Sequence, residues 1–121
     1  DAERPLISAV FHNRLRKGLP LQSDPTVIYG IPNFNGNLTR AHLTQKTPFN
    51  TYVNHGLPPG PIANPGLKAI QAALNPAPVD YLYFVSKNDG THQFSATVQE
   101  HNRAVEKYQK RSARQTARKV A

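Results

Sequence analysis

The sequence predicts an α+β fold: several short helices packed around a small antiparallel sheet, with a C-terminal helix. Three observations carry this. Apolar residues recur at helical spacing in separate short stretches. Residues 81–86 (Tyr-Leu-Tyr-Phe-Val-Ser) are dense in aromatic and branched side chains, and the turn formers Asn88-Asp89-Gly90 separate them from the alternating His92-Gln93-Phe94, which is a β-hairpin pattern. Three polar-residue-plus-proline pairs start short helical segments between long irregular connections.

In chain order, the first helix is expected from about Ala2 to Lys17. Ile7, Val10, Phe11 and Leu15 share one face, Arg4, Asn13, Arg14 and Arg16 fall largely elsewhere, and Gly18 suits the left-handed stop. Asn13 is a poor helix former at mid-helix, so it is either solvated or faces a ligand. Asp24-Pro25 reads as an N-cap with proline at the first helical position, opening a short turn that ends at Gly30. Residues 33–37 form a turn, and Thr39 caps a short helix with Ala41 and Leu43 inward. Thr47-Pro48 opens a segment carrying Phe49, Tyr52 and Val53 that closes at Gly56. Asn64-Pro65 opens a helix through Leu67, Ile70, Ala73 and Leu74 that stops before Pro76. Each cap contributes about 1 kcal/mol. After the hairpin, Thr97-Val98-Gln99-Glu100 is a capping box, and a helix continues through His101, Val105 and Tyr108 into a basic tail.

The composition excludes several classes. With 121 residues there is room for one core. Apolar residues at 38 % and charged residues at 18 % are unlike a disordered polyampholyte, and no apolar run approaches the roughly 18 residues of a transmembrane helix. No signal-peptide pattern opens the chain. Cysteine is absent, and the five histidines lie in no metal-binding spacing, so neither a metal nor a cofactor is expected. Lys110, Arg111, Arg114, Arg118 and Lys119 supply +5 of the net +8 charge. No aromatic follows Tyr108 to stack on bases, so this tail reads as a solvated helix end, and nucleic acid is not an expected partner.

The segment from Asn50 to Gly66 is too rich in proline and glycine for a helix or central strand, and it carries Asn50, Tyr52, Asn54, His55 and Asn64. It reads as a rigid, polar, aromatic-edged loop of the kind that walls a binding cleft. A catalyst is harder to find. Asp89 belongs to a turn, Glu100 to a capping box and Asp24 to an N-cap. There is no nucleophile elbow and no phosphate loop, and no lysine context suits pyridoxal phosphate.

Several motifs, in order, resemble the YceG-like (MltG-type) endolytic murein transglycosylases. They are residues 10–15 (Val-Phe-His-Asn-Arg-Leu), 21–30 (Leu-Gln-Ser-Asp-Pro-Thr-Val-Ile-Tyr-Gly), 50–52 (Asn-Thr-Tyr), 56–62 (Gly-Leu-Pro-Pro-Gly-Pro-Ile), 64–66 (Asn-Pro-Gly), 81–85, His92, Phe94 and 101–102 (His-Asn). The resemblance spans roughly Glu3 to Lys110. It implies cleavage within peptidoglycan glycan strands, between N-acetylmuramic acid and N-acetylglucosamine, leaving 1,6-anhydro ends. It also implies a bacterial inner-membrane protein whose domain faces the periplasm or cell wall, with glycan strands as substrate and cell-wall synthases as partners. One general acid suffices, because the muramyl C6 hydroxyl is itself the attacking group and no second carboxylate has to activate water.

In the family that acid is a glutamate in a Glu-Lys-Glu-Thr-like motif, which would fall upstream of Asp1. Glu3 matches a later, non-catalytic position. On this reading residues 1–110 form a partial catalytic domain without its catalytic segment, inactive alone and anchored to the membrane only through an absent N-terminal segment, and residues 111–121 form a basic tail. The matched positions suit a sugar site. Tyr29 and Tyr52 could stack on pyranose faces, Asn13, Gln22, Asn50 and Asn64 could hold acetamido and hydroxyl groups, and Asp24 could orient one of them or the glutamate. The alternative is a non-catalytic module that binds peptidoglycan or scaffolds cell-wall synthesis.

Overall fold

A computed structural model describes the backbone of residues 2–115 and the side chains through Tyr108. The side chains of the basic tail lie outside the described residues. Within them the chain is α+β, with five helices and one two-stranded antiparallel sheet. The order is α1 (Arg4–Arg16), α2 (Asp24–Tyr29), α3 (Arg40–Thr44), α4 (Leu67–Leu74), β1 (Tyr83–Ser86), β2 (His92–Ser95) and α5 (Val98–Gln115). Two compact units emerge, with the boundary inside α1 after Asn13.

The first unit comprises residues 2–13 and 65–115. Its sheet pairs Tyr83 with Ser95, Phe84 with Phe94, Val85 with Gln93 and Ser86 with His92. The turn uses left-handed backbone at Asn88 and Gly90, the two residue types that tolerate it best. Asp89 accepts from the Thr91 backbone N–H and hydroxyl, and these two bonds hold its carboxyl below the usual range. α5 packs on both strands. It starts as the sequence predicts: the Thr97 hydroxyl accepts from the Glu100 N–H, and the Glu100 carboxylate reaches back to the Ala96 N–H. The core gathers Ala9, Val10, Ala72, Val85 and Ala104. Beside it Phe11 stands edge-on to Phe84, with ring centroids 6.0 Å apart, a favoured aromatic geometry.

Polar groups of α1 tie down the end of α4 and the proline-rich segment that precedes β1. Asn13 donates to the Val79 and Tyr81 carbonyls at 2.8 and 2.9 Å, His12 Nε2 donates to the Ala73 carbonyl, and the Pro5 carbonyl accepts from the Ala77 N–H. The irregular backbone is satisfied where no sheet partner exists. Asn13 is therefore buried rather than solvated.

At the start of the chain, Glu3 grips His92 through both the backbone N–H (3.0 Å) and Nδ1 (2.9 Å). These bonds lower the Glu3 pKa. A depressed carboxylate contributes stability above its unfolded value of 4.5 that is lost as pH falls through the folded value. Glu3→Gln should therefore lower the melting temperature at pH 7, with the deficit closing in acid below the ordinary glutamate range. Thermal unfolding followed by circular dichroism at several pH values tests this, and a deficit independent of pH would contradict it.

The second unit is Arg14–Asn64, with Leu21, Thr26, Val27, Asn50 and Thr51 buried and α2 packed on α3. α3 has only five residues and is held at both ends. Thr39 and His42 form a reciprocal capping box at its start, and Asn50 donates to carbonyls at its end.

Several expected details change. α1 is shorter at its start than Ala2. Arg14, expected off the buried face, is only 7 % exposed. Ala41 is exposed, while Leu43 is half-buried. No helix follows Thr47-Pro48, only turns closed by bonds such as Asn54 N–H to the Asn50 carbonyl. Thr47 instead lies against Gly30, where a Cβ would come within 2.8 Å of its hydroxyl, so that glycine permits close approach. α4 begins at Leu67 after Gly66, without a side-chain cap from Asn64. It buries Ala72, while Leu67 and Leu74 are 70 % and 74 % exposed. Among the described residues no helix is long and apolar enough to cross a membrane.

Candidate functional site

The second unit contains six of the seven candidate positions: Gln22, Asp24, Tyr29, Asn50, Tyr52 and Asn64. Its first corner is the end of α1. Gly18 adopts a left-handed backbone at φ 73°. It donates to the Leu15 carbonyl, and Leu19 donates to the Arg14 carbonyl, the paired bonds of a Schellman motif. The chain turns back and buries Arg14, whose Nε donates to the Pro20 carbonyl at 2.9 Å and whose Nη2 donates to Gln22 Oε1 at 3.1 Å. Gln22 is exposed and holds a left-handed backbone at φ 50°, uncommon outside glycine.

The segment 22–26 is then bonded to residue 51. Gln22 N–H donates to the Thr51 carbonyl, and Ser23 N–H donates to Thr51 Oγ1 at 2.9 Å. The Thr26 hydroxyl gives its single proton to the Ser23 carbonyl at 2.6 Å, so in the 2.7 Å contact between the two threonines Thr51 is the donor, since a hydroxyl carries one proton. This buried hydroxyl pair joins α2 to the loop that starts at Asn50.

Asn50 is fully buried. Its Nδ2 donates to the carbonyls of Leu43 (3.0 Å) and Gln45 (2.7 Å) and more weakly to that of His42, while Oδ1 accepts from the Tyr52 N–H at 2.8 Å. Both ends of the amide are engaged inside the unit.

Tyr52 closes the cluster. Its hydroxyl donates to Asp24 Oδ1 at 2.6 Å. Asp24 therefore does not cap α2; Ser23 occupies that position without a side-chain bond. The start of α2 offers the carboxylate little, since Pro25 has no N–H and the Thr26 N–H already donates to the Ser23 carbonyl, and the phenol far along the chain takes it instead. Burial pushes the Asp24 pKa up despite the Tyr52 bond, and burial followed by the Asp24 bond and charge pushes the Tyr52 phenol far above its ordinary value. Tyr52 stays a neutral donor across the physiological range.

Tyr29 is 54 % exposed at the end of α2, with its ring centroid 4.7 Å from that of Phe49, and Asn64 is exposed at the far end of the loop. The unit thus presents an exposed aromatic ring and side-chain amides, together with a phenol bonded to its one half-buried carboxylate. Such a surface suits a neutral, hydroxyl-rich ligand better than a charged one. Asn13 belongs to the other unit, where its amide is committed to Val79 and Tyr81.

Sequence reasoning missed Arg14, Thr26 and Thr51. It also missed a depression of about 280 Å³ between β2 and α5, in the first unit, bounded by Phe94, Arg103, Lys107 and Tyr108. Thr51 sits in the quoted Asn-Thr-Tyr motif, so the motif itself was the available signal. Among the described residues no group of three or more side chains could hold a metal ion.

Residues 1–107 match the family model described as the YceG-like family. The chain belongs to the YceG-like family. It is 49 % identical over 107 residues to an endolytic murein transglycosylase of Bacillus subtilis strain 168, covering 88 % of this chain and 30 % of the relative. It is 35 % identical over 109 residues to an endolytic murein transglycosylase of Streptococcus pneumoniae strain D39, covering 85 % of this chain and 20 % of the relative. A crystal structure of a YceG-like protein from Listeria monocytogenes superimposes with a TM-score of 0.73 at 46 % identity, covering 80 % of this chain and 31 % of that one. The chain therefore spans less than a third of the length of these relatives.

Proposed function

We propose that this chain is the glycan-holding part of an endolytic murein transglycosylase, which cleaves peptidoglycan strands between N-acetylmuramic acid and N-acetylglucosamine and leaves 1,6-anhydromuramyl ends. The observation that carries the reading is the 49 % identity over 107 residues to a relative of that name. The site supports it physically. Tyr29 offers a ring face, and Gln22 and Asn64 offer amides at the surface. Tyr52 is braced by Asp24, and Asn50 shapes the loop from below.

The general acid is proposed to be a glutamate ahead of Asp1, so residues 1–121 alone should be inactive. The commitments of four of the six described carboxylates support this. Glu3 is bound to His92, Asp24 to Tyr52, Asp89 to Thr91 and Glu100 to the start of α5. In the reaction the acid protonates the leaving glycosidic oxygen. It then takes the proton of the muramyl C6 hydroxyl as that oxygen closes on C1. The residues of this chain would hold and orient the sugar so that the C6 oxygen meets C1 as the bond breaks. The parent protein is proposed to be membrane-anchored, to face the cell wall and to work beside cell-wall synthases.

The test is digestion of purified glycan strands with a protein extended upstream through the Glu-Lys-Glu-Thr-like segment. Mass spectrometry should find anhydromuramyl ends in mid-length products, and replacing the upstream glutamate by glutamine should abolish them. Glycan binding with no anhydro product would point to the non-catalytic module instead.

A further inference from the structure

We infer that Gln22 addresses the ligand as a hydrogen-bond donor, with its polarity set by Arg14, and that it thereby selects N-acetylated over de-N-acetylated glycan. The inference rests on the glycan reading above. A guanidinium can only donate, so the Gln22 atom 3.1 Å from Arg14 Nη2 is the amide oxygen. With that oxygen held, the NH2 is the end left to offer.

Arg14 is a firm reference point. It is buried, and its Nε is bonded to the Pro20 carbonyl, so the guanidinium plane is set by backbone. Gln22 is held on its other side too, by its left-handed backbone and its N–H bond to the Thr51 carbonyl. Asn50 shows what a purely structural amide looks like in this unit: buried, with both ends engaged. Gln22 has its oxygen engaged by Arg14 and its backbone fixed, and yet is exposed, an arrangement that suits recognition.

The ligand chemistry follows from the donor. Sugar hydroxyls donate or accept and so tolerate either polarity, whereas an acetamido carbonyl can only accept. Removing the acetyl group leaves an amine, which when protonated only donates and would meet the Gln22 NH2 as donor against donor.

The experiment measures binding of the full-length protein to N-acetylated glycan oligomers and to the same oligomers after de-N-acetylation, by isothermal titration calorimetry. Wild type should prefer the acetylated form by about tenfold, the worth of one good hydrogen bond. Gln22→Glu is isosteric and keeps an acceptor for Arg14, now as an ion pair, so its melting temperature should be unchanged or higher. It turns an oxygen to the ligand, so it should lose about tenfold for the acetylated form and favour the amine form. Gln22→Gly, which relaxes the left-handed backbone and so should fold, should bind both forms alike. If folded Gln22→Glu and Gln22→Gly keep the wild-type preference, the inference is overturned while the glycan reading stands. If wild type binds neither oligomer, both are overturned.

Discussion

Asn50→Ala should destabilise the protein by about 3 kcal/mol or more, a large fraction of the stability of a small domain. The side chain is fully buried and serves backbone groups at four positions: the carbonyls of His42, Leu43 and Gln45 and the N–H of Tyr52. Its removal takes the Asn50 amide from the Leu43 carbonyl, leaves the His42 and Gln45 carbonyls to the Gln45 and Thr47 N–H groups, and opens a cavity beside them. Asn50→Asp is the sharper control. It preserves the volume, but sets a carboxylate oxygen against the Leu43 and Gln45 carbonyls, so it should be at least as damaging. Urea unfolding of both variants is the measurement. A loss under about 1 kcal/mol, the net worth of a single hydrogen bond, would mean for either variant that water or a shifted loop replaces the amide.

The second large effect concerns the Asp24–Tyr52 pair. Because burial raises the Asp24 pKa, the folded state holds that proton more tightly than the unfolded chain does. The associated stability is fully present below the unfolded value of 3.8 and is lost as pH rises through the higher folded value. Asp24→Asn removes the buried charge and keeps an oxygen for the Tyr52 hydroxyl, so it should be as stable as wild type or about 1 kcal/mol more so at pH 7. The gap should close in acid below the ordinary aspartate range. Tyr52→Phe should instead cost about 1–3 kcal/mol, because it leaves a half-buried carboxylate without its donor. Glycan affinity should fall several-fold in Tyr52→Phe and in Asp24→Ala, which releases the phenol, and less in Asp24→Asn. Equal losses in Asp24→Asn and Asp24→Ala would show that the charge itself meets the ligand.

What could be read from the sequence was local. The hairpin, the Thr39 and Thr97 starts and the Gly18 stop are devices complete within a few positions, and the structure contains each of them. Asp24 and Asn64 looked like caps by the same local logic, because a polar residue before proline has that appearance whatever its side chain does. The partner that claims Asp24 is Tyr52, on a different segment and beyond the reach of any periodicity. Arg14 shows the same limit: helical spacing puts it off the apolar face, yet it is buried, with partners at Pro20 and Gln22 beyond the chain reversal at Gly18. The left-handed backbone of Gln22 has no sequence mark, since glutamine rarely adopts it. The family resemblance groups Gln22, Asp24, Asn50 and Tyr52, which no spacing rule links. It did not distinguish the side chains offered at the surface from those, such as Asn13 and Asn50, engaged within the fold.

The central claim is that the Arg14–Asn64 unit holds the glycan. Hydrogen–deuterium exchange of the full-length protein, with and without a saturating N-acetylated glycan oligomer, tests it most directly. Protection should rise in residues 20–30 and 50–66, around Gln22, Tyr29, Tyr52 and Asn64, and in Gln22→Gly it should appear only at about tenfold higher oligomer concentration. A glycan that binds while leaving both segments unprotected would contradict the account.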